Sequence, residues 1–89
     1  MANVRGGNIE EMHDLAKMFG TNATKLHGII NDLNGRTADS DRIWTGPAAD
    51  RFRGDWHEAR SAFEKMRQAL QDASTAVGKH AQNIEAATR

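Results

Sequence analysis

The chain has 89 residues, with 12 basic and 12 acidic side chains and a formal net charge of zero. This length predicts a single small domain over residues 1–89, which buries too little surface to be more than marginally stable alone. The absence of cysteine excludes disulfides and thiolate metal sites. The balanced charge, with no basic stripe, does not indicate a nucleic-acid partner. We therefore expect a partner protein chain to stabilise the fold.

A first amphipathic helix is predicted from about residue 8 to residue 38. Asn8 and Glu11 have the spacing of a capping box at its start. Apolar residues follow at steps of three and four, which keeps them on one helix face. They are Met12, Leu15, Phe19, Ala23, Leu26, Ile29, Ile30 and Leu33. Three glycines in this segment are either tolerated weak points or places where another helix comes close. They are Gly20, Gly28 and Gly35.

A turn is predicted over about residues 39–46, almost at the middle of the chain. Its sequence is polar except for Ile43 and Trp44. Trp44, Thr45 and Gly46 form a Trp-x-Gly element, and Pro47 comes directly after it. Proline suits the first position of a helix because that position needs no N–H donor. The segment therefore predicts the elbow of a helical hairpin.

A second helix is predicted over about residues 47–86. It carries two apolar rows with the seven-residue spacing of a coiled coil. The first row consists of Ala49, Trp56, Phe63, Leu70, Val77 and Ile84. The second consists of Phe52, Ala59, Met66, Ala73 and His80. A seam this long exceeds what the first helix alone would cover, so we expect two hairpins to dimerise into an all-α four-helix bundle.

The residues that we expect to pack within the hairpin or between its two copies are the larger apolar ones of both helices. They are Leu15, Phe19, Leu26, Ile29, Leu33, Phe52, Trp56, Phe63, Met66, Leu70 and Val77. The polar faces of the helices mix both charge signs, and this does not indicate membrane contact. No apolar run approaches the roughly 20 residues that span a bilayer.

No enzymatic site is indicated by the sequence. There is no phosphate-binding glycine loop and no nucleophile elbow around the serines. The four histidines are scattered without a metal-binding pair, so neither a metal nor a cofactor is expected. They are His13, His27, His57 and His80. Any function is therefore expected to be binding.

Two residues have alternative interpretations. Trp44 is either a plug packed between the helix ends or an exposed recognition residue, and one role does not exclude the other. His80 interrupts an otherwise apolar row. It is either a partly exposed residue near a fraying helix end or a group that contacts a partner, by a hydrogen bond or by a pH-sensitive contact.

The whole chain resembles the WXG family of type VII secretion substrates, the early-secretory-antigen-like proteins. Trp44 and Gly46 match the name-giving motif, and Phe52 and Trp56 are similar to aromatic positions early in the family's second helix. The resemblance implies helix–turn–helix hairpins that form antiparallel homodimers or heterodimers with related chains. It also implies recognition by the membrane ATPase of the secretion system, with Trp44 and Gly46 in the secretion signal.

The chain departs from the family pattern at one place. Many exported members carry Tyr-x-x-x-Asp/Glu after the second helix, whereas this chain has no tyrosine, and its nearest equivalent runs from Ala81 to Glu85. In family heterodimers one subunit supplies that element and the other supplies the Trp-x-Gly turn. The resemblance therefore implies that this chain is the subunit that supplies the turn.

The leading hypothesis is a small type VII secretion substrate or co-secreted subunit that binds other proteins as a hairpin dimer. No signal peptide is recognised in the polar N-terminal stretch, so we expect export by the type VII route after a cytoplasmic pool. The alternative, favoured by the missing tyrosine, is a cytoplasmic adaptor, chaperone or targeting subunit for a larger secreted effector.

Overall fold

The computed structural model describes residues 8–87, which form a hairpin of two long helices. Helix α1 is Ile9–Asp39 and helix α2 is Pro47–Ala87, and a short 3₁₀ turn, Ser40–Arg42, follows α1. The hairpin is a narrow rod of 64 × 16 × 16 Å. Residues 8–87 contain no strand, and the predicted all-helical hairpin is confirmed. None of the helices in these residues is long and apolar enough to cross a membrane.

Helix α1 begins with the cap that the sequence predicts. The Asn8 side-chain oxygen accepts a hydrogen bond from the Glu11 N–H at 2.9 Å, which satisfies a donor that has no partner within the helix. Glu10 and Glu11 place negative charge at the positive end of the helix dipole. At the other end, the Ser40 hydroxyl donates to the Thr37 carbonyl at 2.6 Å, and the chain leaves α1 there.

The elbow is a short stretch of non-helical backbone between the 3₁₀ turn and α2. The N–H groups of Ile43 and Trp44 both donate to the Ser40 carbonyl, at 3.0 and 2.9 Å. Gly46 has a φ of +114°, a conformation that a residue with a side chain rarely adopts. Pro47 then begins α2, and the Asp50 N–H closes the first turn on the Gly46 carbonyl at 3.0 Å. The chain reverses within these few residues.

The two helices meet through small side chains. The buried apolar residues are Ala16, Ala23, Ile30, Ala49 and Ala81. The Ser74 hydroxyl crosses to the Ala16 carbonyl at 2.7 Å, so a polar bond links the helices beside the alanines. A methyl group at Gly20 would approach the Ser74 oxygen to 3.1 Å, which shows how closely α2 passes here. Gly28 and Gly35 have no such neighbour, so close approach of α2 explains Gly20 and neither of the other two glycines.

The inner contacts of α2 lie one position away from one of the two predicted apolar rows. Ala81 is completely buried, whereas His80 beside it is exposed. Likewise the hydrogen bond to α1 comes from Ser74 and not from its neighbour Ala73, although both residues are half-buried. The row that contains Phe52 and Met66 therefore lies at the edge of the contact between the helices.

Candidate protein-binding surfaces

One broad strip of apolar side chains remains exposed along the hairpin, and we call it the apolar face. From α1 it contains Leu15, Phe19, Leu26, Ile29 and Leu33, and from α2 Phe52, Phe63, Met66, Leu70 and Val77. Ile29 is 55% exposed and Met66 is 53% exposed, although both are apolar. Phe19, Leu26, Leu70 and Val77 are half-buried. A contiguous apolar strip of this kind indicates a surface for another protein.

Helix geometry places both halves of the apolar face on the same side of the rod. On α1, Leu15 and Ile29 each come one residue before a buried position, and on α2, Leu70 and Val77 come four residues before inner positions. At about 100° per residue, a step of one residue or of four residues back along a helix rotates the side chain in the same direction about the helix axis, away from the partner helix. Because α1 and α2 run in opposite directions, equal senses of rotation bring the two rows to one side.

The centres of the two rows that form the apolar face lie at the same position along the length of the hairpin. Ser74 contacts Ala16, and Trp56 contacts Asn34. Because the helices are antiparallel, residue numbers fall along α2 as they rise along α1, and these two contacts place Met66 opposite residue 24 of α1. The α1 part of the face runs from Leu15 to Leu33, and its midpoint is also residue 24. The two rows therefore form one patch with a common centre.

Trp56 differs from the other residues that were expected to pack. It is half-buried between the helices, and its indole N–H donates to the Asn34 side-chain oxygen at 3.3 Å. Its ring also lies 6.3 Å from the ring of Phe63, in a tilted arrangement. Trp56 therefore connects the inside of the hairpin to the apolar face.

Trp44 extends the apolar face to the elbow. Its ring centre lies 5.6 Å from that of Phe52, and 43% of the residue is exposed. Its backbone is held on both sides, since its N–H donates to the Ser40 carbonyl and its own carbonyl accepts from Arg53. The indole is thus neither a fully buried plug nor a free side chain. Gly46 lies two residues beyond it and provides the backbone conformation of the turn.

The opposite side of the hairpin is polar. Arg67 lies there and pairs with Glu64 at 3.1 Å, and both side chains are partly covered. A shallow depression beside this pair is lined by Ala23, Thr24, His27, Arg67 and Gln71. Within residues 8–87, no three histidine or acidic side chains lie together as metal ligands would. The hairpin therefore has two different surfaces along its length, the apolar face on one side and a polar surface on the other.

Ser74 and Arg53 make specific contacts that were not anticipated from the sequence. Ser74 bonds to α1 and lies seven residues before Ala81, and this spacing becomes a signal only once the burial of Ala81 is known. Arg53 bonds to the elbow, and no local pattern indicates this, because its position resembles those of the other charged residues of α2. Its partner is a backbone carbonyl, which leaves no trace in the sequence.

Comparison with known proteins agrees with this arrangement of two helices and a Trp-x-Gly elbow. The family described as "Proteins of 100 residues with WXG" matches residues 7–88. The chain belongs to the WXG100 family. It is also similar to Protein YukE of Bacillus subtilis (strain 168), with 25% identity over 76 residues, which covers 85% of this chain and 78% of that protein. No solved structure matches the chain.

Membership confirms the resemblance that was drawn from Trp44 and Gly46. Membership of the family implies that the chain is a small helical protein related to type VII secretion. Members of this family typically pair with related partners. The exposed apolar face and the half-exposed elbow are the two surfaces of this chain on which such pairing and recognition could occur.

Proposed function

We propose that this WXG100 protein is a type VII secretion substrate or co-secreted subunit that acts by binding other proteins as a dimer of helical hairpins. The observation that carries the proposal is the apolar face, which leaves residues such as Ile29 and Met66 more than half exposed in the single chain. Burial of apolar surface stabilises by about 25 cal/mol per Å². A second hairpin, either another copy or a related WXG-family chain, would supply that burial.

In this proposal the elbow has a separate role. Trp44 and Phe52 form an aromatic pair at one end of the rod, beyond the centre of the apolar face. The dimer would present this end to the ATPase of the secretion system, so that Trp44 and Gly46 contribute to the secretion signal. The protein would pass through a cytoplasmic pool and leave the cell by the type VII route. The proposal includes no catalytic step, cofactor or metal.

The dimer is tested by solution mass. We expect size-exclusion chromatography with light scattering to give twice the 9.8 kDa chain mass, or a one-to-one complex with a related chain. Met66→Asp places a charge in the centre of the apolar face, where burial of an unpaired charge is strongly unfavourable, and should yield a monomer. Ser61→Asp adds the same charge at an exposed position away from the face and should leave the dimer intact. A Met66→Asp protein that remains dimeric would show that the interface lies elsewhere.

The role of the elbow is tested by export. In cells with a type VII system, Trp44→Ala should lower the exported fraction without changing the solution mass. Ile43→Ala is the matched control, because Ile43 is 83% exposed and immediately precedes Trp44. Normal export of the Trp44→Ala protein would exclude the signal role. Retention of the wild-type protein in cells, with its partner exported normally, would favour the cytoplasmic adaptor or chaperone.

A further inference from the structure

Arg53 makes a hydrogen bond that joins the second turn of α2 to the elbow. Its Nη2 donates to the Trp44 carbonyl oxygen at 2.6 Å, across nine residues of sequence. A hydrogen bond from a charged guanidinium is shorter and stronger than one between neutral groups. Among the described residues, no carboxylate forms an ion pair with Arg53. The bond to the elbow is therefore the specific polar contact of this side chain.

One amino group of the Arg53 side chain is covered by the fold. Its Nη1 is buried and has no acceptor among the described residues. A buried donor without a partner is destabilising, whereas an extended arginine in solvent hydrates all of its donors. The guanidinium lies against the elbow despite this loss. The bond to the Trp44 carbonyl is thus made with one amino group of the guanidinium covered.

The backbone of Trp44 is consequently fixed from both directions. Its N–H is held by the Ser40 carbonyl at the end of α1, and its C=O is held by Arg53 from α2. The indole packs against Phe52, the residue adjacent to Arg53, and still leaves a substantial part of its surface exposed. An exposed aromatic side chain that is already ordered loses less entropy when a partner docks on it.

We propose that Arg53 is a positioning residue that holds Trp44 in the orientation in which the elbow is recognised. The role of Arg53 in recognition rests on the proposed function of the elbow. The statement that Arg53 orders Trp44 does not depend on that function. Arg53 acts through Trp44 and not on the docking protein directly. Arg53 therefore matters only while Trp44 is present.

The first test measures the order of Trp44 in the full chain. A Trp56→Phe background makes Trp44 the only indole. In this background, Arg53→Gln should lower the fluorescence anisotropy of Trp44 and increase its quenching by acrylamide, while the helical circular dichroism is retained. Arg53→Lys, which keeps the charge and one donor group, should restore part of the anisotropy. Arg51→Gln removes a neighbouring exposed arginine and should change neither quantity. Unchanged anisotropy in the Arg53→Gln protein would overturn the inference.

The second test uses export in a double-mutant design. Arg53→Gln should reduce export, and in combination with Trp44→Ala it should reduce export no further than Trp44→Ala alone. Additive losses would show that Arg53 acts independently of Trp44, contrary to the inference. If Trp44→Ala leaves export normal, the proposed signal role fails. The fluorescence measurement still decides whether Arg53 positions Trp44, so the two failures are distinguishable.

Discussion

At the scale of single residues, the reversal of the chain depends on Gly46. Its φ of +114° lies in a region that favours glycine, and nothing lies within 4 Å of where a Cβ would project. The restriction is therefore one of backbone conformation and not of space. This requirement was readable from the sequence, because glycine two residues after Trp44 and directly before Pro47 is typical of a turn that ends at a helix start.

Gly46→Ala should destabilise the hairpin by about 1–3 kcal/mol, the typical strain of a non-glycine residue held in such a conformation. The measurement is urea unfolding followed by circular dichroism, at one fixed protein concentration. Gly28→Ala is the control, since Gly28 is inside α1 with open space around it. That substitution should stabilise by up to about 1 kcal/mol, because alanine favours helix. Equal effects of the two substitutions would contradict this account of the turn.

At the scale of the helices, α1 and α2 approach closely because the residues between them are small. Ala16 and Ala23 on α1, with Ala49 and Ala81 on α2, are almost completely buried, and Ile30 is the only large buried side chain among residues 8–87. The Ser74 bond to the Ala16 carbonyl lies within this contact. Small side chains leave little volume between the helix axes, and the larger apolar residues are consequently displaced to the apolar face.

Ala23→Leu should disrupt this contact, because a larger side chain there must push the helices apart. Overpacking of this kind destabilises by about 1–3 kcal/mol. The matched control is Ala38→Leu, which makes the same change at an exposed position of the same helix. Unfolding by urea should separate the two variants clearly. An Ala23→Leu protein as stable as the wild type would mean that α1 and α2 pack less closely than the structure shows.

At the scale of the whole molecule, the hairpin is a single layer of two helices with a small interior. Four alanines and one isoleucine are its buried apolar residues within the part of the chain that the structure describes. Alanine buries little surface, and larger apolar residues such as Ile29 and Met66 remain exposed on the apolar face. This explains why stability is expected to depend on a partner.

The unfolding temperature should therefore rise with protein concentration, because a dimer that dissociates on unfolding is stabilised by mass action. Each tenfold increase should add about 1.4 kcal/mol per dimer to the free energy of unfolding. Calorimetry over two decades of concentration provides the measurement. The Met66→Asp protein, as a monomer, should show a lower and concentration-independent unfolding temperature. Independence in the wild type would instead indicate that the single hairpin carries its own stability.

Much of this fold and its surfaces could be anticipated from local patterns. The steps of three and four residues predict both helices, and Asn8 with Glu11 predicts where the first begins. Trp44, Gly46 and Pro47 predict the elbow, and Trp44 and Gly46 also carry the family resemblance. These features are readable because helix periodicity, capping and turn chemistry each depend on residues close together in the chain.

The residues through which α2 packs on α1 were decided by the tertiary structure, and they follow neither predicted row as a whole. The sequence offers two rows on α2 that both have coiled-coil spacing, and spacing alone does not rank them. Helix α2 packs through Ala49 of the first row and through Ser74 and Ala81, which belong to neither row. Phe52 and Met66 remain outside, because close helix packing favours small residues. The bond from Arg53 to the Trp44 carbonyl is likewise a result of the tertiary structure. It exists only because the folded elbow brings a backbone oxygen within reach of a side chain nine residues away.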